Sequence, residues 1–258
     1  MYLTRQYLHV FLLLLSCISV SSCSPDTAEP QGGISISFDD RSIEEWYSLK
    51  ELFARYDAKV TFFISGAEAL TDQEVQMLKE LVQQGHEVGS HGALHVRARD
   101  YIREYSYQKY LQDEVFSNTR ALQDKGFTPT AFAYPFGRGY WFTDLILKNS
   151  FKVIRRAVSV DSIRGLSATD DIFFSLGKSR ELVAASIDAS AQINKKAIDS
   201  AIQKAATEKK VLLVFGHKPA HNAKPNSYTF DVALLEYILQ QAKEKDLKFY
   251  RISDLVQD

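Results

Sequence analysis

Cysteine is scarce in this 258-residue chain: the two present, Cys17 and Cys23, both lie near the N-terminus. A chain processed at Cys23 would hold no second thiol, which excludes an intramolecular disulfide and leaves stability to the core. Charge of one sign is missing too. The 31 Lys and Arg nearly balance the 32 Asp and Glu, for a formal net charge of −1, so nothing electrostatic points to a nucleic-acid partner. The N-terminal apolar run, Val10 to Leu15, is too short to span a bilayer. No internal repeat or low-complexity block is visible.

What is present at the N-terminus reads as an export signal. A single early cation, Arg5, precedes the apolar run, and the small residues Ser19, Ser21 and Ser22 lead to Cys23. Val20-Ser21-Ser22-Cys23 resembles the lipobox of bacterial lipoproteins, in which the signal is removed and the new N-terminal cysteine carries lipid. Cys17 is a weaker alternative, and a plain signal peptide or uncleaved anchor is the other reading of the run. The expected organisation is a signal over 1–22, a Pro-containing tether over 23–31 and one catalytic domain over 32–258. A lipid-anchored monomer in the bacterial cell envelope is expected, facing the periplasm or exterior, with the membrane engaged through lipid on Cys23.

The rest of the chain alternates strand and helix signals. Gly33 to Phe38 alternates Ile with Ser, and a helical pattern from Ile43 puts Trp46, Leu49 and Phe53 on one face. Lys59 to Ile64 is a β-branched and aromatic strand. Thr71 and Glu74 form a capping box for a helix with Val75, Leu78 and Leu81 on its buried stripe and Gly85 at its stop. Strands are expected at Glu87 to Ser90, Thr130 to Tyr134, Lys152 to Ser159, Val211 to Phe215 and Lys248 to Ile252. Helices are expected near Ser106 to Lys125, Phe142 to Lys148, Ile198 to Glu208 and Phe230 to Lys245. Between Asp161 and Lys195 only the β-like runs Ile172–Phe174 and Leu182–Ile187 are legible. This order predicts an α/β domain with a mainly parallel sheet, open or closed.

The titratable residues cluster behind those strands. Asp39-Asp40 follow the first, His91 and His95 the third, Pro135-Phe136 the fourth, and His217 the apolar run VLLVF. Parallel α/β domains gather the C-terminal ends of their strands on one face, so these residues are expected to meet. Two neutral His and one carboxylate leave open positions on a divalent cation, as a catalytic metal site requires. The i,i+4 spacing of His91 and His95 would put both rings on one side if the segment made a helical turn. A second carboxylate beside the site would be free to take a proton from water. His217 could act as a general acid, with His221 a weaker substitute; His86, ahead of its strand, reads as structural.

These residues resemble the NodB-homology polysaccharide deacetylases, carbohydrate esterase family four. Ser37-Phe38-Asp39-Asp40 resembles that family's first motif, and Gly85-His86-Glu87-Val88-Gly89-Ser90-His91-Gly92-Ala93-Leu94-His95 its second. Tyr134-Pro135-Phe136-Gly137 resembles the core of the third, and Val214-Phe215-Gly216-His217 the last. The resemblance implies a distorted (β/α) barrel of about seven strands. It implies that Asp40, His91 and His95 hold a divalent metal, most readily Zn²⁺, with Co²⁺ or Ni²⁺ also accommodated. Asp39 would be the base and His217 the acid, with the backbone N–H of Phe136 holding the oxyanion and Tyr134, Pro135 and Phe215 shaping the acetyl site. The implied substrate is an acetylated polysaccharide, N- or O-linked.

Two departures stand out. Ala133 occupies the place where the family has an Arg that pairs with the catalytic Asp, and Arg138, Arg155 and Arg156 are candidate replacements. The family's fourth motif is not locatable; Asp161 and Asp171 are the candidates for its Asp. Both departures leave room for a non-catalytic, metal-containing carbohydrate-binding lipoprotein. A small-molecule amide hydrolase of the same superfamily is a third reading.

Overall fold

Whether the sheet stays open or closes turns on one strand pairing. The computed structural model describes residues 31–160 and 165–256; the signal, Cys23, the tether through Pro30 and Asp161 lie outside them. The first half of the chain runs β1 (Gly33–Asp40), α1 (Ile43–Tyr47), α2 (Lys50–Arg55), β2 (Thr61–Ile64), α3 (Asp72–Gln83), β3 (Glu87–Ser90) and α4 (Ala98–Glu104). It continues through α5 (Tyr107–Tyr110), α6 (Ser117–Asp124), β4 (Ala131–Ala133), α7 (Trp141–Leu147), β5 (Val153–Val158), β6 (Phe173–Phe174) and β7 (Glu181–Ser186). The last part is α8 (Lys195–Glu208), β8 (Val211–Gly216), β9 (Lys218–Ala220), β10 (Thr229–Asp231), α9 (Val232–Glu244) and β11 (Lys248–Phe249).

β1 pairs in parallel with β2 on one side and with β8 on the other. Seven parallel strands, β1, β2, β3, β4, β5, β7 and β8, therefore close into a barrel. β6 adds antiparallel to the start of β8, and β11 pairs with Gly33 and Ile34 at the start of β1. The β3–β4 seam is the thinnest, with Ser90 opposite Phe132.

Closure sorts side chains by parity. In β1, Ile34, Ile36 and Phe38 join the apolar cluster under the helices, while Ser35, Ser37 and Asp39 alternate with them toward the interior. In β8, Leu212 and Val214 belong to the outer cluster, and Val211, Leu213 and Phe215 to the inner one. Burial on both faces explains why β8 reads as an unbroken apolar run. Phe63 fills the interior only because Gly89 stands on the next strand: a Cβ there would lie 2.5 Å from the Phe63 ring.

The capping box on α3 is present as predicted, Thr71 accepting from the Glu74 N–H. Two expectations shift and one element is new. The single helix over Ser106 to Lys125 is three segments, with Leu111–Phe116 in π geometry between α5 and α6. The helix expected from Phe230 begins at Val232, because Thr229–Asp231 pairs with β9 and Asp231 caps α9 through the Ala233 N–H. The short α4 had no sequence signal strong enough to stand out. Among the described residues no helix is long and apolar enough to cross a membrane.

Candidate active site

Every strand of a parallel barrel delivers its C-terminal end to the same rim, and that rim here carries the ionisable residues. Asp39 and Asp40 end β1, His91 follows β3, Phe136 follows β4 and His217 follows β8, all lining one cleft of about 800 Å³. His95, Phe215 and Asp188 line it as well. A cleft of this size takes an oligosaccharide fragment.

One ligand atom each from Asp40, His91 and His95 falls within a common span of 4.8 Å. The Nε2 atoms of His91 and His95 lie 3.6 and 3.2 Å from Asp40 Oδ1. That oxygen is buried with no hydrogen-bond partner, an arrangement that suits a cation and little else. The Nδ1 of His91 lies 2.9 Å from the Ala133 carbonyl, which only accepts. Nδ1 therefore carries the hydrogen, and Nε2 presents its lone pair to the site. The donor set, two imidazole nitrogens and one carboxylate, fits Zn²⁺ or a similar divalent ion.

The segment between the two histidines makes no helical turn. His91 to Arg97 is a loop, and His95 sits at φ 54°. Glu114 shapes it. Its fully buried carboxylate accepts the N–H of Leu94 at 2.6 Å and of Val96 at 3.0 Å, bracketing His95. Gly92 makes room for that carboxylate, since a Cβ at Gly92 would lie 2.3 Å from Glu114 Oε1. Glu114 stands on the π segment, where the ladder is rewound and a side chain is re-aimed. Backbone strain recurs around the site: Asp40, His95 and Phe136 are non-glycine residues at positive φ.

The cation missing at Ala133 has moved one strand over. The β4–β5 register pairs Ala133 with Arg155, whose fully buried guanidinium approaches both carboxylate oxygens of Asp39 at 2.5 Å. It lies between the Phe63 and Phe215 rings, 5.2 and 4.7 Å from their centroids. Of the other two candidates, Arg156 is bound to Asp144, and Arg138 is exposed at the cleft without contacting Asp39.

The missing acid partner is Asp188, immediately beyond β7. Its Oδ2 takes a hydrogen from His217 Nδ1 at 2.6 Å, and its Oδ1 accepts the His217 backbone N–H at 3.0 Å. Ser186 donates a further hydrogen bond to it. Trp46, buried on α1, donates to the His217 carbonyl at 2.6 Å. Asp171 is no substitute: it is exposed in the turn before β6, beside the start of β8 rather than its end. His221 is exposed and does not line the cleft. The Asp188 signal was available, since the β-like run Leu182–Ile187 ends one residue before it.

Burial and charge tune these groups in opposite directions. Burial pushes the pKa of His91 below the usual imidazole range, keeping it neutral as a ligand must be. Burial opposes ionisation of Asp40, but the His95 contact, first among several histidine neighbours, outweighs it and holds the carboxyl at about 2. For His217, burial works against protonation, and the Asp188 hydrogen bond with the charges of Asp39 and Asp40 overcomes it, raising the pKa. His86, as expected, is structural: buried beneath Phe53 and Phe62, it accepts the Val60 N–H and is pushed down to about 4 by burial.

Of the residues expected to shape the acetyl site, Phe215 and Phe136 line the cleft. Tyr134 and Pro135 do not, which corrects the expectation. The Tyr134 ring is fully buried, with its hydroxyl on Thr143 and Asp144 at 2.7 Å, because its strand turns it into the cluster under α7. The Tyr134 carbonyl accepts the Gly137 N–H at 2.9 Å, tightening the turn that carries Phe136 at φ 58°.

Comparison with known proteins agrees with this fold. The chain is similar in structure to the Xyl-CE4 domain of a multidomain xylanase from the hindgut metagenome of Trinervitermes trinervoides, at 17% identity and a TM-score of 0.54, over 87% of this chain and 89% of that one. A family-four carbohydrate esterase of Streptococcus mutans superposes with a TM-score of 0.56 at 19% identity, over 86% of each chain. A peptidoglycan deacetylase of Bacillus subtilis, a point mutant, gives 0.53 at 14% identity, over 87% and 90%. A search of curated proteins found no match. The polysaccharide deacetylase profile matches residues 26–152, which span Asp39, Asp40, His91, His95 and the turn at Phe136. The chain belongs to the polysaccharide deacetylase family, the deacetylase enzymes of NodB homology.

Proposed function

We propose that the chain removes acetyl groups from a polysaccharide by divalent-metal hydrolysis, with Asp39 as general base and His217 as general acid. The observation that carries this reading is the division of labour among three carboxylates on one rim. Asp40 faces two imidazoles with a free oxygen, Asp39 is held by Arg155, and Asp188 is held by His217. A divalent ion on Asp40, His91 and His95 would polarise an acetyl carbonyl and acidify a water molecule. Asp39 Oδ2, 3.8 Å from His91 Nε2, is then placed to take the water's proton while Arg155 stops the carboxylate from turning away. Asp188 favours the protonated form of His217, whose Nε2–H would give its proton to the departing sugar nitrogen or oxygen. The N–H of Phe136 is the donor for the oxyanion, and Phe215 walls the methyl side.

The non-catalytic reading rested on Ala133 and the unlocated acid partner. Arg155 and Asp188 supply both functions, so its motives fall away. The export signal and Cys23 support a lipid-anchored place in the cell envelope, where such polymers are met, and Zn²⁺ is the first choice of metal. Acetate release from acetylated chito-oligosaccharides, peptidoglycan and acetylated xylan, with and without chelator, tests the reading. Release abolished by chelator and restored by Zn²⁺ is expected; no release from any acetylated glycan under metal-replete conditions would overturn it.

A further inference from the structure

Of the three carboxylates that line the cleft, Asp40 keeps an oxygen without a hydrogen-bond partner, while Asp39 and Asp188 each face a positive or proton-donating partner. The cleft's two lining guanidiniums do not. Arg97 and Arg138 are exposed on its wall, and among the described residues neither is paired with a carboxylate. Both guanidiniums are therefore open to a ligand's negative charge beside the reacting centre.

The two cations are placed rather than scattered. Arg97 lays its guanidinium over the Phe136 ring, 4.1 Å from the centroid, and that ring packs at a tilt of 48° against His95 with centroids 4.8 Å apart. Contact with the ring restrains the Arg97 side chain where it lines the cleft, so less side-chain entropy is lost on binding. Arg138 follows Gly137 in the same turn, beyond the strained Phe136. A guanidinium held over a ring and a second one lining the same cleft match a carboxylate, which accepts two parallel hydrogen bonds from such a fork.

Resting on the deacetylase reading, we infer that Arg97 and Arg138 form a carboxylate subsite, and that the glycan carries a carboxylate on a sugar beside the acetylated one. That carboxylate comes either from a uronic acid or from a carboxyalkyl ether on an amino sugar. Neutral acetylated glycans of the same length are the poorer ligands.

The test is equilibrium binding of the full chain to two pairs of acetylated oligosaccharides, each compared with its form in which the carboxyl is reduced to an alcohol. One pair is built on a uronic acid, the other on an amino sugar with a carboxyalkyl ether. At least one acid is expected to bind about tenfold or more tightly than its alcohol, and the ratio falls as salt is raised. Arg138→Gln and Arg97→Gln each bring that ratio toward one, and Arg97→Lys keeps part of it. Ratios near one for both pairs in the unaltered chain, or a ratio that both Gln variants leave intact, overturn the inference. Acetate release from all four ligands is followed in parallel. A preference for acid in binding with no release anywhere would sink the deacetylase reading and leave the subsite standing.

Discussion

The two ends of the barrel both bury carboxylates, and they satisfy them differently. At the N-terminal end Glu87 accepts from the Thr61 hydroxyl at 2.7 Å and from the Ser253 N–H at 3.2 Å, while Ile252 and Leu255 plug the opening. Neutral donors saturate that group. At the other end Asp39 leans on a guanidinium, Asp188 on an imidazole, and Asp40 keeps an oxygen without a hydrogen-bond partner. A buried carboxylate closed off by neutral donors holds a structure together; one balanced by charge, with an atom left over, is poised to bind or to exchange a proton.

Substitutions at the two ends should therefore separate activity from stability. The largest effect is expected at Asp40→Asn, which removes the anionic ligand: metal content by elemental analysis falls to background, and acetate release drops by about 10⁴ or more, while the chain stays folded. Next comes the displaced cation. Arg155→Ala leaves Asp39 buried without its partner, and kcat/KM is expected to fall about 100-fold. Adding Ala133→Arg to that variant restores part of the loss, because the register sets residue 133 beside residue 155. No recovery in the double variant would mean that the two positions are not equivalent mounts for the guanidinium.

Glu114→Ala removes the acceptor of two part-buried N–H groups, those of Leu94 and Val96, in the loop that carries His91 and His95. Divalent-ion affinity, read by competition with a chelator, is expected to weaken about 10- to 100-fold, with a drop in Tm. Asp188→Asn alters the pH profile more than the maximum. The Asp188 carboxylate helps raise the His217 pKa, so protonated His217 persists to higher pH in the native enzyme. Its loss lowers that pKa, and the alkaline limb of kcat/KM moves to lower pH, costing about tenfold above neutrality. The smallest effect on catalysis belongs to the other end: Glu87→Gln costs about 1–3 kcal/mol in denaturant unfolding and leaves acetate release intact. An activity loss there would break the contrast between the two ends.

Much of the site was legible because chemistry and strand order coincided. Asp39, Asp40, His91, His95 and His217 each stand at or just past a recognisable strand, and parallel topology does the rest. Asp188 obeys the same rule but follows a strand of mixed composition, so it was passed over for Asp161 and Asp171. Glu114 could not be found that way. It lies mid-helix, far from any strand end, and its role depends on Gly92 leaving space for it. The spacing of four between His91 and His95 would also suit a helix, and it is Glu114 that holds this backbone in a loop.

The sequence by itself determined the kinds of group at the rim and the order in which strands present them, since alternation and capping are local properties. Only the tertiary structure decided that the sheet closes, because closure rests on β1 meeting β8 across nearly the whole chain. It alone decided which arginine serves Asp39. Three candidates were equivalent in sequence, and the β4–β5 register, a long-range pairing, put Arg155 inside and left Arg156 and Arg138 elsewhere.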